Sequence, residues 1–197
     1  MQPNGRKSHK IPPCPLVWST GGHSHIQIRD QVTTGKSPAE VLKTVNNEIC
    51  GRNRADMFVT VWIGILDIRT GVMTCANAGH EYPAVLETDG SCRLFKDKHG
   101  FVLGGMEGME YRDYEIRLKP GAGLMVYTDG VTEATRKDHT LYGTGRLIEA
   151  LNGAGSRDPE NLIRAVRRDV DTFVDGAEQF DDMTMLCVVY HGAEEES

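Results

Sequence analysis

Met57-Phe58-Val59-Thr60-Val61-Trp62-Ile63-Gly64-Ile65-Leu66-Asp67-Ile68 is a run rich in β-branched and aromatic residues. Arg69-Thr70-Gly71 follows, and then Val72-Met73-Thr74-Cys75-Ala76-Asn77-Ala78. The first run reads as a strand buried on both faces, since it stays apolar at successive positions instead of alternating. The polar trio ending in glycine reads as a turn, and the second run returns as the other arm of a hairpin. Neighbouring strands joined without a helix between them point to antiparallel sheets rather than to a parallel βαβ array.

Working outward, the residues before this hairpin carry a helix signal. Ser37 is placed as N-cap, Pro38 at the first helical position and Glu40 to complete an S-x-x-E capping box. Losing such a cap typically costs about 1 kcal/mol. Val41, Leu42, Val45 and Ile49 then recur at helical spacing, and the helix is expected to end near Gly51. After the hairpin, Pro83 to Glu87 and Cys92 to Phe95 read as a second hairpin around Thr88-Asp89-Gly90. Tyr114 to Leu118 alternates as a strand, and Leu124 to Tyr127 is a short apolar strand leading into Asp129. Gly145 to Leu151 reads as a short helix. A longer one starts at the cap Asp158 with Pro159 behind it, and its stripe is Leu162, Ile163, Val166, Val170 and Phe173. Met183 to Tyr190 is the closing strand. Hairpins followed by paired helices and a last strand make an α+β domain.

Composition excludes several classes. A formal net charge of −6 argues against nucleic acid as a partner, because binding to phosphates needs a basic surface. The five cysteines are scattered, odd in number and without a CxxC pair. That is neither a disulfide framework nor a thiolate zinc site, and it suits a reducing cytoplasm. No apolar run approaches the roughly 20 residues that cross a bilayer, so no membrane partner is expected. Residues 1–27 are proline- and glycine-rich and read as an irregular or foreign segment. Residues 28–191 read as the domain, and 192–197 as an acidic tail.

The informative carboxylates are Asp129, directly after one apolar strand, and Asp181-Asp182, directly before another. Residue types alone read more simply as a turn and a polar strand boundary, because turns use Asp and Gly routinely. If the three converge, they repel: two unit charges about 4 Å apart cost about 4 kcal/mol at an effective dielectric of about 20. Shared protons or a hard cation such as magnesium or manganese would relieve that.

The order of short motifs decides between these readings. Met57-Phe58-Val59-Thr60, Asn77-Ala78-Gly79-His80, Phe101-Val102-Leu103-Gly104, Tyr127-Thr128-Asp129-Gly130-Val131-Thr132-Glu133-Ala134 and Phe180-Asp181-Asp182-Met183-Thr184 occur in sequence. Together they resemble the PPM-type metal-dependent serine/threonine phosphatase domain of the SpoIIE and RsbU regulators, from about Ile28 to Tyr190. The resemblance implies an α-β-β-α sandwich of two antiparallel sheets flanked by helices, with the N-terminal strands missing. It implies two Mn2+ or Mg2+ ions that lower the pKa of a water from about 16 toward about 7. The implied reaction is hydrolysis of phosphoserine or phosphothreonine on a regulatory partner of the anti-sigma-factor antagonist type, in sigma-factor or stress signalling; a homodimer is compatible with it. Asp129 matches the family's T-D-G aspartate and is expected to ligate metal. Asp181 matches the first aspartate of the late D-D motif, and Asp182 is its substitute or orienting partner. Gly130 is expected to let backbone pass close to the site.

One departure stands out. The family's early G-D-x-x-G-x-G motif, whose aspartate bridges the metals, has no counterpart in Leu16 to Gln27, and no aspartate precedes Asp30. Two readings stay open: a foreign start joined to the domain near Ile28, or a variant in which His23 or His25 supplies the ligand. The departure also keeps a second function in view, a phosphatase-fold module that binds a regulator without catalysis. His80 reads as a structural residue at a strand end rather than as a proton donor. Gly104-Gly105-Met106-Glu107-Gly108 is followed by no GK[ST], so it is not a P-loop but a flexible connection near the active-site face.

Overall fold

The computed structural model describes residues 14–19, 35–51, 58–177 and 181–193. The helix α1 spans Pro38–Cys50, and Ser37 caps it with the full reciprocal capping box to Glu40. The strands are β1 (Cys14–Ser19), β2 (Val61–Asp67), β3 (Val72–Ala78), β4 (Ala84–Leu86), β5 (Cys92–Leu94), β6 (Tyr114–Arg117), β7 (Gly123–Tyr127) and β8 (Met185–Val189). Between β7 and β8 lie α2 (Asp129–Thr132), α3 (Gly143–Asn152) and α4 (Pro159–Val174).

The strands form two four-stranded sheets, β1-β2-β3-β6 and β5-β4-β7-β8, and every neighbouring pair is antiparallel. Alternation along β2 shows how the layers are built. Val61 and Ile63 face α1 together with Val41, Leu42, Val45, Ala76 and Ala78. Trp62 points the other way, into the space between the sheets, where it joins Met73, Ile116, Leu124 and Val126. The outer face of the second sheet (Ala84, Leu86, Met125, Tyr127, Cys187) is covered by Leu147, Leu151, Leu162, Val166, Val170 and Phe173 from α3 and α4. The order is helix, sheet, sheet, helices: the expected α-β-β-α sandwich. Gly64 is needed for this packing, since a methyl group there would lie 2.4 Å from the Trp62 ring.

Three expectations need correction. Residues 14–19, inside the stretch read as irregular, form β1, with Cys14 opposite Leu66 and Ser19 opposite Val61. Pro15 hides the strand from a sequence reading, yet β1 is an edge strand, where proline is tolerated. Met57 lies outside the described residues, and from Phe58 the run enters the sheet only at Val61. Phe58 is 63% exposed and Val59 bridges to Leu103 instead. The glycine-rich segment is tied down against α1 rather than loose. Asn46, fully buried, accepts from the Gly104 N–H at 2.9 Å and donates to the Met106 carbonyl at 2.8 Å. Asn47 accepts from the Gly108 N–H at 2.9 Å.

Candidate functional site

The second sheet brings the acidic motifs together through the pairing of its inner strand β7 with its edge strand β8. β7 is buried throughout and pairs with β8, Tyr127 opposite Met185. One residue further on, the Thr128 N–H donates to the Thr184 carbonyl at 3.0 Å. The Thr128 hydroxyl then accepts from the Thr184 N–H at 3.0 Å and donates to the Asp182 carbonyl at 2.8 Å. This buried threonine splices the end of β7 to the start of β8, and both acidic motifs lie at the splice.

Asp129 does not end a strand but opens the short helix α2. Its Oδ1 accepts from the Gly130 N–H at 3.0 Å, and the side chain is half-buried. Asp181 and Asp182 are exposed, and Asp181 Oδ1 accepts from the Asp182 N–H at 2.7 Å. Gly130 lies directly on this backbone: a methyl group there would be 2.6 Å from the Asp182 carbonyl oxygen and 3.3 Å from the Asp181 carbonyl carbon.

A further carboxylate, which the motif reading passed over, belongs to this neighbourhood. Ala84 stands opposite Met125 in the β4–β7 ladder, a register that carries Glu81 toward the Thr128–Asp129 end. Partial burial raises the Glu81 pKa, the charges of Asp129 and Glu133 raise it further, and His99 opposes them. The only sequence signal was its place directly after Asn77-Ala78-Gly79-His80.

His80 is 4% exposed, and burial lowers its pKa to about 4. It is therefore neutral at neutral pH. Asn77 holds the turn around it, accepting from the His80 N–H at 2.8 Å and donating to the His80 carbonyl at 3.0 Å. Gly79 takes φ +72° there, against Val102.

Whether these residues suit a cation can be judged from the donors. Carboxylate oxygens suit magnesium or manganese, and the splice holds the backbones of Asp129 and Asp181-Asp182 side by side. Among the described residues, however, no group of three or more His, Cys, Asp or Glu is arranged to hold a metal ion. What the described residues show is the adjacency of two carboxylate-bearing segments. His23, His25 and Asp30 lie outside the described residues, as do Glu194, Glu195 and Glu196 of the tail.

A cavity of about 640 Å³ opens beside the splice, with Gly130, Glu133, Arg167, Asp171, Asp181 and Met183 in its wall. Among the described residues no helix is long and apolar enough to cross a membrane.

Comparison with known proteins agrees with this architecture. Protein IcfG of Synechocystis sp. (strain ATCC 27184 / PCC 6803 / Kazusa) is 33% identical over 132 residues, 67% of this chain and 20% of its own length. Phosphoserine phosphatase RsbU of Bacillus subtilis (strain 168) is 29% identical over 108 residues, 55% of this chain and 32% of its own. The chain thus spans a fifth to a third of these curated relatives. Among solved structures, the PP2C phosphatase domain of the Bacillus subtilis cell fate determinant SpoIIE, with a fragment of its regulatory domain, superposes with a TM-score of 0.75 at 16% identity. It covers 89% of this chain and 53% of that one. The profile of the family described as Stage II sporulation protein E (SpoIIE) matches residues 20–191. With the two-sheet sandwich and the spliced acidic motifs in place, this match shows that the chain belongs to the SpoIIE family of PPM-type metal-dependent protein phosphatases.

Proposed function

We propose that this chain is a cytoplasmic phosphoprotein phosphatase domain that hydrolyses phosphoserine or phosphothreonine on a regulatory partner in sigma-factor or stress signalling. The partner is of the anti-sigma-factor antagonist type. The observation that carries this reading is the Thr128–Gly130 splice, which sets Asp129 and Asp181 on adjoining backbones at one end of the second sheet.

In this reading Asp129 and Asp181 hold Mn2+ or Mg2+, and Asp182 orients Asp181 through its N–H. When bound, the cation supplies activation of water and neutralisation of charge at the phosphoryl group. The chain's own work is positional. Thr128 and Gly130 fix the separation of the two ligand-bearing segments, so the donors are held in place before a cation binds. Glu81 stands on the same side of the cluster, where partial burial and then the charges of Asp129 and Glu133 raise its pKa.

Manganese-dependent turnover of para-nitrophenyl phosphate and of a phosphoserine peptide, abolished in Asp129→Ala, is the expected result. A second reading, the non-catalytic phosphatase-fold module, is favoured by the lack of a three-ligand group among the described residues. Calorimetric titration with Mn2+ separates the two. Binding that is lost in Asp129→Ala supports the enzyme, and no binding supports the module.

A further inference from the structure

We infer that the cavity beside Asp181 is a subsite for a lysine or arginine side chain next to the phosphorylated residue of the protein substrate. This deepens the phosphatase reading above and rests on it.

The cavity forms where the last turns of α4, through Asp171 and Val174, face Glu133 and Leu141 of the segment after α2 and Asp181 and Met183 before β8. Its volume of about 640 Å³ is that of a side-chain or small-ligand pocket. The wall is chemically divided. Val174, Leu141 and Met183 make it apolar, and Leu141 is 56% exposed, an uncovered surface for an aliphatic stem. Glu133, Asp171 and Asp181 make it acidic. Arg167 is the only lysine or arginine among the described lining residues, and Asp171 already neutralises it: Arg167 Nε lies 2.9 and 3.1 Å from the two Asp171 carboxylate oxygens. With Asp181 committed to the cation in the reading above, Glu133 is the carboxylate that leaves the wall net negative.

An occupant must match both parts of the wall. A purely apolar side chain would desolvate carboxylates without pairing them. An acidic one would meet like charge. A long aliphatic stem ending in a cation lays its methylenes on Leu141, Val174 and Met183 and its head group at the carboxylates. The position follows from shared walls. Gly130 and Asp181 border the cavity and also belong to the spliced ends beside Asp129, so a peptide phosphorylated at the splice places a flanking residue in the cavity.

Fluorescence anisotropy on the full chain tests this with three phosphoserine peptides that carry lysine, alanine or glutamate beside the phosphoserine, each with and without Mn2+. The lysine peptide should bind about fivefold or more tightly than the alanine peptide, with glutamate weakest. Glu133 is exposed, so its replacement tests charge without disturbing the core. Glu133→Lys should abolish or invert the order, whereas Glu133→Asp should keep it. Equal affinity for lysine and alanine peptides, an unchanged preference in Glu133→Lys, or no binding of any peptide overturns the subsite. The phosphatase reading is scored separately, on the alanine peptide. Mn2+ should release inorganic phosphate from it, Asp129→Ala should release none, and a missing Mn2+ effect counts against the enzyme whatever the lysine preference read without Mn2+.

Discussion

Gly130 lies in contact with the backbone of Asp182: a methyl group at position 130 would sit 2.6 Å from the Asp182 carbonyl oxygen and 3.0 Å from its carbonyl carbon. Thr128 reaches the same oxygen from the other side of Asp129, donating from its hydroxyl at 2.8 Å. The two neighbours of Asp129 therefore clamp one carbonyl of the Asp181-Asp182 segment. The separation of the acidic motifs is set by main-chain contact, which side-chain rotation cannot relax.

Gly130→Ala should accordingly act on stability and on the site together. The contact is with backbone, so β8 must shift or the α2 turn must open. Overpacking of this kind costs about 1–3 kcal/mol. Chemical denaturation should show that loss, and Mn2+ affinity should fall with it. A variant as stable as the parent would mean that the two segments are not held at this spacing.

Thr128→Val keeps the shape and removes the hydroxyl. The Asp182 carbonyl then loses its donor and the Thr184 N–H loses its acceptor, at a cost of about 1–3 kcal/mol when such groups stay buried. Thr128→Ser retains the hydroxyl and should recover most of the difference. Hydrogen exchange at the Thr184 amide is the direct measurement: faster in the valine variant, near parental in the serine variant.

These contacts also show what the sequence could reveal and what it could not. Ser37, Pro38 and Glu40 announce α1 because a capping box is local chemistry within four residues. The β2–β3 hairpin is legible for the same reason, with Asp67 and Gly71 closing its turn through the Gly71 N–H to Asp67 carbonyl bond at 2.8 Å. β1 was hidden because it forms by pairing with β2, more than forty residues away in the chain. Asp129 and Asp181 could be named from motif order. The start of α2 at Asp129, the closeness of Glu81 and the cavity wall shared by α4 and Asp181 arise from sheet register and helix docking, which no local pattern encodes.

His80 gives acid stability a measurable slope. Burial holds its imidazole neutral, with the pKa lowered from 6.5 to about 4, and its Nε2 has no hydrogen-bond partner among the described residues. Between those pH values the unfolded chain takes up a proton here and the folded chain does not. Stability is therefore level above pH 6.5 from this cause and is lost as pH falls toward 4. Each tenfold weakening of proton affinity on folding is worth about 1.4 kcal/mol, so the loss reaches roughly 3 kcal/mol. Urea midpoints measured across this range should fall less steeply in His80→Gln than in the parent. Parallel curves would assign the titration to another group.

Tyr114→Phe probes the space between the sheets, away from the acidic motifs. The Trp62 indole, fully buried, donates its Nε1–H to Tyr114 Oη at 2.8 Å and lies over Gly64. Removing the hydroxyl takes a partner from the buried indole N–H and from the buried Asp97 carboxylate beside it, at a cost of about 1–3 kcal/mol. For a domain of this size each kcal/mol lowers Tm by about 2–4 °C. Trp62 cannot turn toward water to recover a partner, since it sits between the two sheets with Met73 and Val126. The loss should therefore appear in thermal unfolding with Mn2+ affinity unchanged. Equal Tm values for parent and variant would show that the indole finds another acceptor, and a fall in Mn2+ affinity would show that inter-sheet packing governs the acidic site.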